Sequence, residues 1–526
     1  MLRRQFLRLV ASLFGTGTVA PPALGSTSGL RGSSWTGGHV RHILATVSDR
    51  EIGIKVSLAS ALARPPQLRV GGNRQVGVKS DTAGEFWQFR ARSLSPGRPY
   101  RLVLTASDED GNRPLCDPWE LKTFPDRATL PDRVRVLFFT CAGGDERSGF
   151  LPVEIRSRLL RRGLSFKPDA AVANGDHIYH DLRPQRRAGN IPPGDAPART
   201  VPVLGSENET MVKSVGNRQI VDVYGTDFRS TPVFFIQDDH DFFDNDEATE
   251  QLVTFPPDAF MSDLARVTQR LFYPEFLPDP DRPSGLPGDG LDTHGNPFSE
   301  SFGTLRFGRL LEAPLYTVRR TMTLDGDDAV FVAPVAERWL TDRMSRTDAL
   351  HLVNVPSSPF GWSAGKWGEW YPDRLGADGR LSQTPPKRFW QPGWLKQHDR
   401  LVSAMSSMRQ RIALVVSGDL HASALGRLMR SGTVDTGANP IIAVLCGTIG
   451  TGPGGWPSRS RGVPPRPPLH VDMEEIVEPI EQHGFTIADF TPEGVELRMF
   501  VWDRHSQRPE EIDTLQPFRT YTVPRP

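Results

Sequence analysis

Four short apolar runs in this sequence end in residues able to hold a cation. Val134–Phe139 leads into Thr140-Cys141, and Ala170–Ala173 into Asn174-Gly175-Asp176-His177-Ile178-Tyr179. Val233–Ile236 leads into Gln237-Asp238-Asp239-His240-Asp241, and Ile412–Val416 into Ser417-Gly418-Asp419-Leu420-His421. One such ending is an ordinary polar cap. Four together supply a thiol, a phenol, imidazoles and several carboxylates, and burying so many ionisable groups in one place without cations is very costly. A metal site is the economical reading. In Gly175-Asp176-x-x-Tyr179 the glycine permits a sharp turn off the strand, and residues i and i+3 share a face, so Asp176 and the Tyr179 oxygen can meet one ion. A phenol with a pKa of about 10 is a poor ligand for most divalent ions at neutral pH. A trivalent ion ionises it, and phenolate, carboxylate and thiolate together suit ferric iron. Cys141 then reads as a thiolate ligand rather than a nucleophile, while Cys116 and Cys446 read as buried structural thiols.

The elements that must position these residues follow from the hydrophobic pattern. From Val134 onward, continuous apolar runs (VRVLFF, PDAAVAN, TPVFFI, ALHLVNV, IALVVSG) alternate with helical segments such as PVEIRSRLLRRG and HDRLVSAMSSMRQR. Strands of this kind are buried on both faces, which predicts an α/β architecture with its chemistry at the carboxyl ends of strands. Residues 39–125 differ. Their short runs (IGIKVSL, QLRVG, FWQFRARSL, YRLVLTA) alternate apolar and polar residues at spacings suited to a small antiparallel sandwich. The segment from Leu94 to Tyr100 resembles the fibronectin-type-III pattern, and no acid/base constellation occurs there. The expected organisation is a signal over residues 1–25, a Gly/Ser linker over 26–38, a fibronectin-III-like β domain over 39–125 and a catalytic domain over 130–526.

Composition narrows the function. The 526 residues balance 62 basic against 62 acidic side chains, which argues against a protein held to nucleic acid by phosphate neutralisation. Of the basic residues 54 are Arg and only 8 are Lys, an imbalance read as codon bias rather than phosphate recognition. Three cysteines exclude a disulfide scaffold and a Cys-rich zinc module. At the amino terminus Arg3 and Arg4 precede Gln5-Phe6-Leu7, a modest apolar stretch to Ala20, and a small-residue cleavage site at Ala23-Leu24-Gly25. This has the form of a twin-arginine export signal, too short to span a bilayer well. Periplasmic or secreted localisation follows, with the twin-arginine machinery as a partner and no stable membrane span. Removing the signal takes three positive charges and leaves the mature chain slightly acidic.

Taken in order, the Thr140-Cys141 strand end, Gly175-Asp176-His177-Ile178-Tyr179, Asp238-Asp239-His240-Asp241 and Ser417-Gly418-Asp419-Leu420-His421 resemble the alkaline phosphatase D (PhoD-like) family of metallophosphoesterases. Gly-Asp-x-x-Tyr alone is shared with the purple acid phosphatases; the ordered set is more specific. The resemblance implies a four-layer α/β/β/α domain behind the small β domain, and hydrolysis of phosphomonoesters or phosphodiesters. It implies Fe³⁺ held by Cys141, Asp176, Tyr179 and His421, and a second metal, Ca²⁺, shared by Asp176, Asp239 and Asp419. His240 then contacts the phosphoryl group or protonates the leaving group. Two cations that clamp a phosphate and acidify a water accord with this chemistry. A small organic phosphoester is the implied substrate, and a monomer the expected state.

The chain also departs from the family. Asp-His-Asp replaces the commoner Asp-His-Glu, which reads as a minor change at Asp241 in an outer position. Where an Asp-x-Arg signature is expected, only Leu315-Tyr316-Thr317-Val318-Arg319-Arg320 stands, so no arginine is assigned as a phosphate clamp. Asn245 and Asn354 are weaker second-metal candidates, and His351, inside an apolar run, reads as a core histidine. The run Gly361–Leu395, with Trp362, Trp367, Trp370, Trp390 and Trp394, reads as a long loop pinned by Trp burial or as an aromatic lid over the substrate. Gly447-Thr448-Ile449-Gly450-Thr451-Gly452 reads as turn chemistry or a backbone phosphate cradle, and lacks the Lys of a nucleotide P-loop. Arg156, Arg158, Arg161 and Arg162 read as a solvated helix face. Competing functions are a phospholipase-D-like phosphodiesterase on the same scaffold and a non-catalytic metal- or ligand-binding surface protein. A zinc peptidase is disfavoured by the lack of a His-Glu-x-x-His helix.

Overall fold

The apolar runs become the strands of two sheets. A computed structural model of the chain describes residues 35–108, 111–181, 197–248, 252–376, 378–452 and 456–526; the proposed export signal and most of the linker lie outside them. Val134–Phe139, Ala170–Asn174 and Val233–Ile236 run parallel as neighbours, and the six-stranded sheet continues antiparallel through His483–Thr491, Gly494–Trp502 and Arg519–Pro524. In the second, eight-stranded sheet Leu311–Tyr316, His351–Pro356, Ala413–Ser417 and Ile441–Cys446 are parallel neighbours. Parallel pairing leaves no face for water, and every residue of Ala170–Asn174, Val233–Ile236, Ala413–Ser417 and Ile441–Cys446 is buried.

Helix Val153–Ser165 packs beside the first sheet on strand His483–Thr491. On the second sheet, helices Pro334–Ser345 and Pro392–Ser406 pack on each other and Pro392–Ser406 on strands Ala413–Ser417 and Ile441–Cys446. The sheets meet at their carboxyl ends. Asn174 at the end of one strand donates its amide to the carbonyls of Pro356 (3.0 Å) and Val416 (3.4 Å) in the other sheet. Thr448 bridges Thr140 on one side and His483 on the other. The result is a four-layer α/β/β/α arrangement.

One correction concerns the helix Val153–Ser165. Its inward face carries Arg156, Ser157, Leu159, Leu160 and Gly163, so Arg156 is not part of a solvated stripe. Arg156 is 1% exposed and donates to the Ala142 carbonyl at 3.0 Å, one residue beyond Cys141. Arg158 and Arg161 do face outward, pairing with Asp513 and Asp227.

Ahead of this core, strands Val40–Val47, Ile52–Leu58, Phe86–Ala91 and Val78–Lys79 form one antiparallel sheet of a sandwich. Gln67–Val70, Asn73–Val76, Pro99–Asp108, Gly111–Pro114 and Trp119–Lys122 form the other. Residues Gly37–Pro526 nevertheless make one compact unit. Buried His42 reaches the Phe272 carbonyl at 2.6 Å, the Phe86 ring meets Phe272 edge-on at 5.2 Å, and buried Lys55 bonds the Arg270 carbonyl and Glu275, both at 2.9 Å. Phe272, fully buried, thus serves both parts. Phe272→Ala should cost about 3–5 kcal/mol, and denaturant unfolding followed by fluorescence should show one transition shifted as a whole rather than a separate early loss of the sandwich.

Candidate functional site

All four strand ends reach the same junction. Cys141, Asp176, Asp419 and His421 each follow directly or closely on a strand, and each has a left-handed backbone, with φ of 51°, 59°, 64° and 48°. Non-glycine residues adopt such angles at a cost of about 1–3 kcal/mol each, so the surroundings must hold them there. The adjoining glycines show how tight the junction is. A Cβ on Gly175, whose φ is +78°, would lie 2.6 Å from Asp238 Cβ, and one on Gly418 would lie 2.3 Å from Thr140 Oγ1 and 2.5 Å from the Asn174 carbonyl.

The side chains form two adjoining groups. In the first, Cys141 Sγ lies 3.4 Å from Asp176 Oδ2, the Tyr179 hydroxyl donates to the same oxygen at 2.9 Å, and it lies 3.2 Å from His421 Nε2. Ligand atoms of Cys141, Asp176 and His421 all lie within 4.8 Å of one another. The other imidazole nitrogen, His421 Nδ1, bonds Thr451 Oγ1 at 2.6 Å, which turns Nε2 toward the group. Asp176 Oδ1 is buried without a hydrogen-bond partner. Burial, and next the charge of Asp176, push the Cys141 thiol and the Tyr179 phenol well above their ordinary ranges. Such groups ionise together only beside a strongly charged cation, and the donor set fits a metal ion.

The second group joins Asp239, Asp419 and Asp238, again within 4.8 Å. Here the sequence reading missed two cations. Arg319, set aside as a phosphate clamp, is fully buried in the site: Nε bonds Asp238 (2.5 Å), Nη1 bonds Asp246 (2.7 Å), and Nη2 faces Asp419 (3.5 Å) and Asp239 (3.9 Å). Lys366, from the Trp-rich run, places Nζ 2.6 Å from Asp419, 3.1 Å from Asp246 and 3.4 Å from Asp239. Burial opposes charge on Asp239, but Lys366 and Arg319 outweigh it and hold its carboxyl well below the usual range. Asp246, pushed up by burial to about 7 against the same cations, was also unforeseen. One oxygen of Asp239 and of Asp419 faces Lys366 and the other faces Arg319 Nη2, yet Asp239 Oδ1 and Asp419 Oδ2 have no hydrogen-bond partner and, with Asp238, keep the spacing of a group that could hold an ion.

His240 stands beside the first group with its ring 4.1 Å from the Tyr179 ring and Nδ1 2.7 Å from Asp181. Burial disfavours its charge, yet Asp181, Asp176 and Asp239 overcome this and raise the imidazole well above its usual range. Asp181 had no signature in the sequence; it follows Tyr179 by two residues and acts only through the fold. His240 and His421 retain 7% and 8% exposure, whereas Cys141 and Tyr179 are sealed, so the two imidazoles are the more accessible members of the group.

The other expectations divide. Asn245 bonds Glu247 at 3.2 Å, and both amide atoms of buried Asn354 are without a hydrogen-bond partner. His351 bonds the Thr491 carbonyl at 2.7 Å, as a core histidine does. Trp362, Trp367, Trp370 and Trp394 are buried, so the run is pinned rather than a lid; rings near the site are Phe150, 4.8 Å from the Tyr179 ring, and Trp456, 5.3 Å from the His421 ring. In the Gly447–Gly452 segment Ile449 and Gly450 donate to the carbonyls of Thr140 and Cys141, which uses those amides for bracing. A cavity of 1110 Å³ between the sandwich and residues 266–300 includes none of the site residues.

Comparisons with known proteins agree with this fold. The structure of PhoD superposes with a TM-score of 0.57 at 13% identity, covering 88% of this chain and 87% of that one. Purple acid phosphatase PPD1 from seeds of yellow lupin (Lupinus luteus) gives 0.56 at 12% identity, covering 92% and 74%. Neither a protein-family model nor a curated protein sequence matches the chain.

Asp241 proves more than an outer residue. Its carboxylate accepts from the backbone amides of Asp176, His177 and Asp238 at 2.9 Å and of Ile178 at 3.2 Å, tying two ligand-bearing loops together. Asp241→Asn replaces one accepting oxygen with a donor and should cost about 1–3 kcal/mol while lowering bound metal, measured by chemical denaturation and elemental analysis. Metal uptake by the wild-type site should release the thiol and phenol protons, so apparent affinity should fall as pH falls; an indicator-dye titration with ferric ion reads this directly.

Proposed function

We propose that the chain is an exported metallophosphoesterase, hydrolysing small organic phosphoesters at one iron-bearing site in the 130–526 region, with the sandwich of 39–125 non-catalytic and the protein monomeric. The observation that carries the reading is the cluster of Cys141, Asp176, Tyr179 and His421 beside a buried His240 paired with Asp181, on a fold shared with two phosphatases. Cys141, Asp176, Tyr179 and His421 would hold the iron, which supplies Lewis-acid polarisation of a phosphoryl oxygen and acidifies a water. Tyr179 is read as the phenolate ligand, oriented by its i, i+3 relation to Asp176.

The chain's own residues then divide the work. Asp181 holds the His240 ring and its proton, and a leaving-group oxygen would lie at the accessible edge of that imidazole. Arg319 and Lys366 compensate the carboxylates that a phosphate dianion would otherwise meet. Among the described residues no helix is long and apolar enough to cross a membrane.

Purified protein should contain iron and show a charge-transfer band in the visible, lost in Tyr179→Phe; metal analysis returning only zinc would remove the iron assignment. Asp176→Asn should abolish hydrolysis of mono- and diester substrates while leaving the fold intact by circular dichroism. His240→Ala should lower kcat about 10²–10⁴-fold on alkyl esters and far less on p-nitrophenyl esters, whose leaving group needs no proton. In the wild type, alkyl-ester activity should decline as pH rises through the raised His240 pKa, because the imidazolium form is lost above it.

A further inference from the structure

We infer that Lys366 takes the position of a second metal ion, so that the site works with one metal and a built-in ammonium group. The inference rests on the metal-site reading above. Three carboxylates from separate segments, Asp239, Asp246 and Asp419, converge on the three-donor Lys366 ammonium at 3.4, 3.1 and 2.6 Å. All three belong to the hard-oxygen class that calcium prefers. A divalent ion added among them would stand within a few ångströms of both Lys366 and Arg319, and like charges that close in a buried site repel strongly.

The ammonium is fixed rather than incidental. Lys366 is 3% exposed, and its loop is held from both ends. Its own carbonyl accepts from Lys387 Nζ at 2.6 Å, while Glu369 accepts from that same ammonium at 2.8 Å, from Ser363 Oγ at 2.5 Å and from the Ala364 amide at 2.6 Å. Trp362, fully buried, donates to Glu475 at 3.0 Å, and Trp456 closes one side with its ring 5.5 Å from Nζ. The choice of residue is also informative. The chain uses 54 Arg and 8 Lys, yet here it uses Lys. An ammonium group is a compact point charge that meets its carboxylates from one centre, as a metal ion does, whereas the guanidinium of Arg319 spreads its contacts over three nitrogens.

The test counts ions. Wild-type protein and Lys366→Gln, each equilibrated with millimolar calcium and desalted, are analysed by inductively coupled plasma mass spectrometry, with melting temperature recorded with and without calcium. The expected result is one transition-metal ion and no calcium per wild-type chain, with a melting temperature indifferent to calcium. Lys366→Gln should retain the first ion, gain one calcium, and melt higher when calcium is present. Calcium at one per chain in the wild type would overturn the inference, as would a Lys366→Gln protein that gains none. Should the variant fail to fold, the wild-type count alone decides. A wild-type chain with no metal at all would overturn the underlying site reading, an outcome distinct from a count of two.

Discussion

Negative charge concentrated where two sheets meet is the constraint on which the rest of this structure depends. Asp176, Asp238, Asp239, Asp246 and Asp419 are all at most 2% exposed, and Cys141 and Tyr179 add groups that ionise beside a cation. Water cannot reach these carboxylates to stabilise them, so their charge must be met by positive charge brought from elsewhere in the chain. The fold solves this with two kinds of cation. Arg319 and Lys366 meet the Asp238–Asp239–Asp246–Asp419 side. Among the described residues the Cys141–Asp176–Tyr179–His421 side has no lysine or arginine against it, and there Cys141, Asp176 and His421 place ligand atoms within 4.8 Å of one another.

That division explains why the architecture needs both sheets. The parallel half of the six-stranded sheet brings Cys141, Asp176 and Asp239 to one edge because its three strands are neighbours in register. Asp419 and His421 come from the facing sheet, at the end of Ala413–Ser417. A site built between two such edges is closed above and below by backbone, which is why so little of it is exposed. The cross-sheet bonds from Asn174 to Pro356 and Val416 set the spacing across which the two donor sets meet.

The legibility of the site in the sequence follows the same division. Strand ends can be read because an apolar run that stops at Gly-Asp or Asp-Asp-His breaks its own hydrophobic pattern, and the break lies next to the element that positions it. Arg319 and Lys366 give no such signal. Arg319 is one arginine among 54, and Lys366 lies in a run dominated by tryptophans, where its own contribution is hidden by the stronger apolar pattern. Asp246 and Asp181 lie within a few residues of legible motifs, but their partners are 73 and 59 positions away along the chain. Arg156 shows the converse failure: four arginines in seven residues suggest a solvated stripe, yet the helical period turns the first of them inward with Leu159, Leu160 and Gly163. The sandwich strands were readable from period-2 alternation, whereas their shared core with Phe272 was not, because that contact depends on a helix more than 200 residues later.

Backbone strain links these observations. Four of the site residues, Cys141, Asp176, Asp419 and His421, sit in left-handed conformations that each disfavour the folded chain by about 1–3 kcal/mol. Those angles persist because the carbonyls and amides around them are bonded elsewhere: Gly450 N to the Cys141 carbonyl at 2.8 Å, Gly143 N to the Asp176 carbonyl at 3.1 Å, and Asp176 N to Asp241 at 2.9 Å. A chain free to relax would rotate these residues toward ordinary angles and swing their side chains apart. Since the carboxylates, thiol and phenol also repel one another whenever they are ionised without a cation, electrostatics and strain both favour opening of the junction. The bracing from Asp241, Arg156 and the Gly447–Gly452 segment opposes both. Preorganisation of the donor set is therefore a property of groups that touch no substrate, and a change in any of them reaches the chemistry through the angles of the four strained residues.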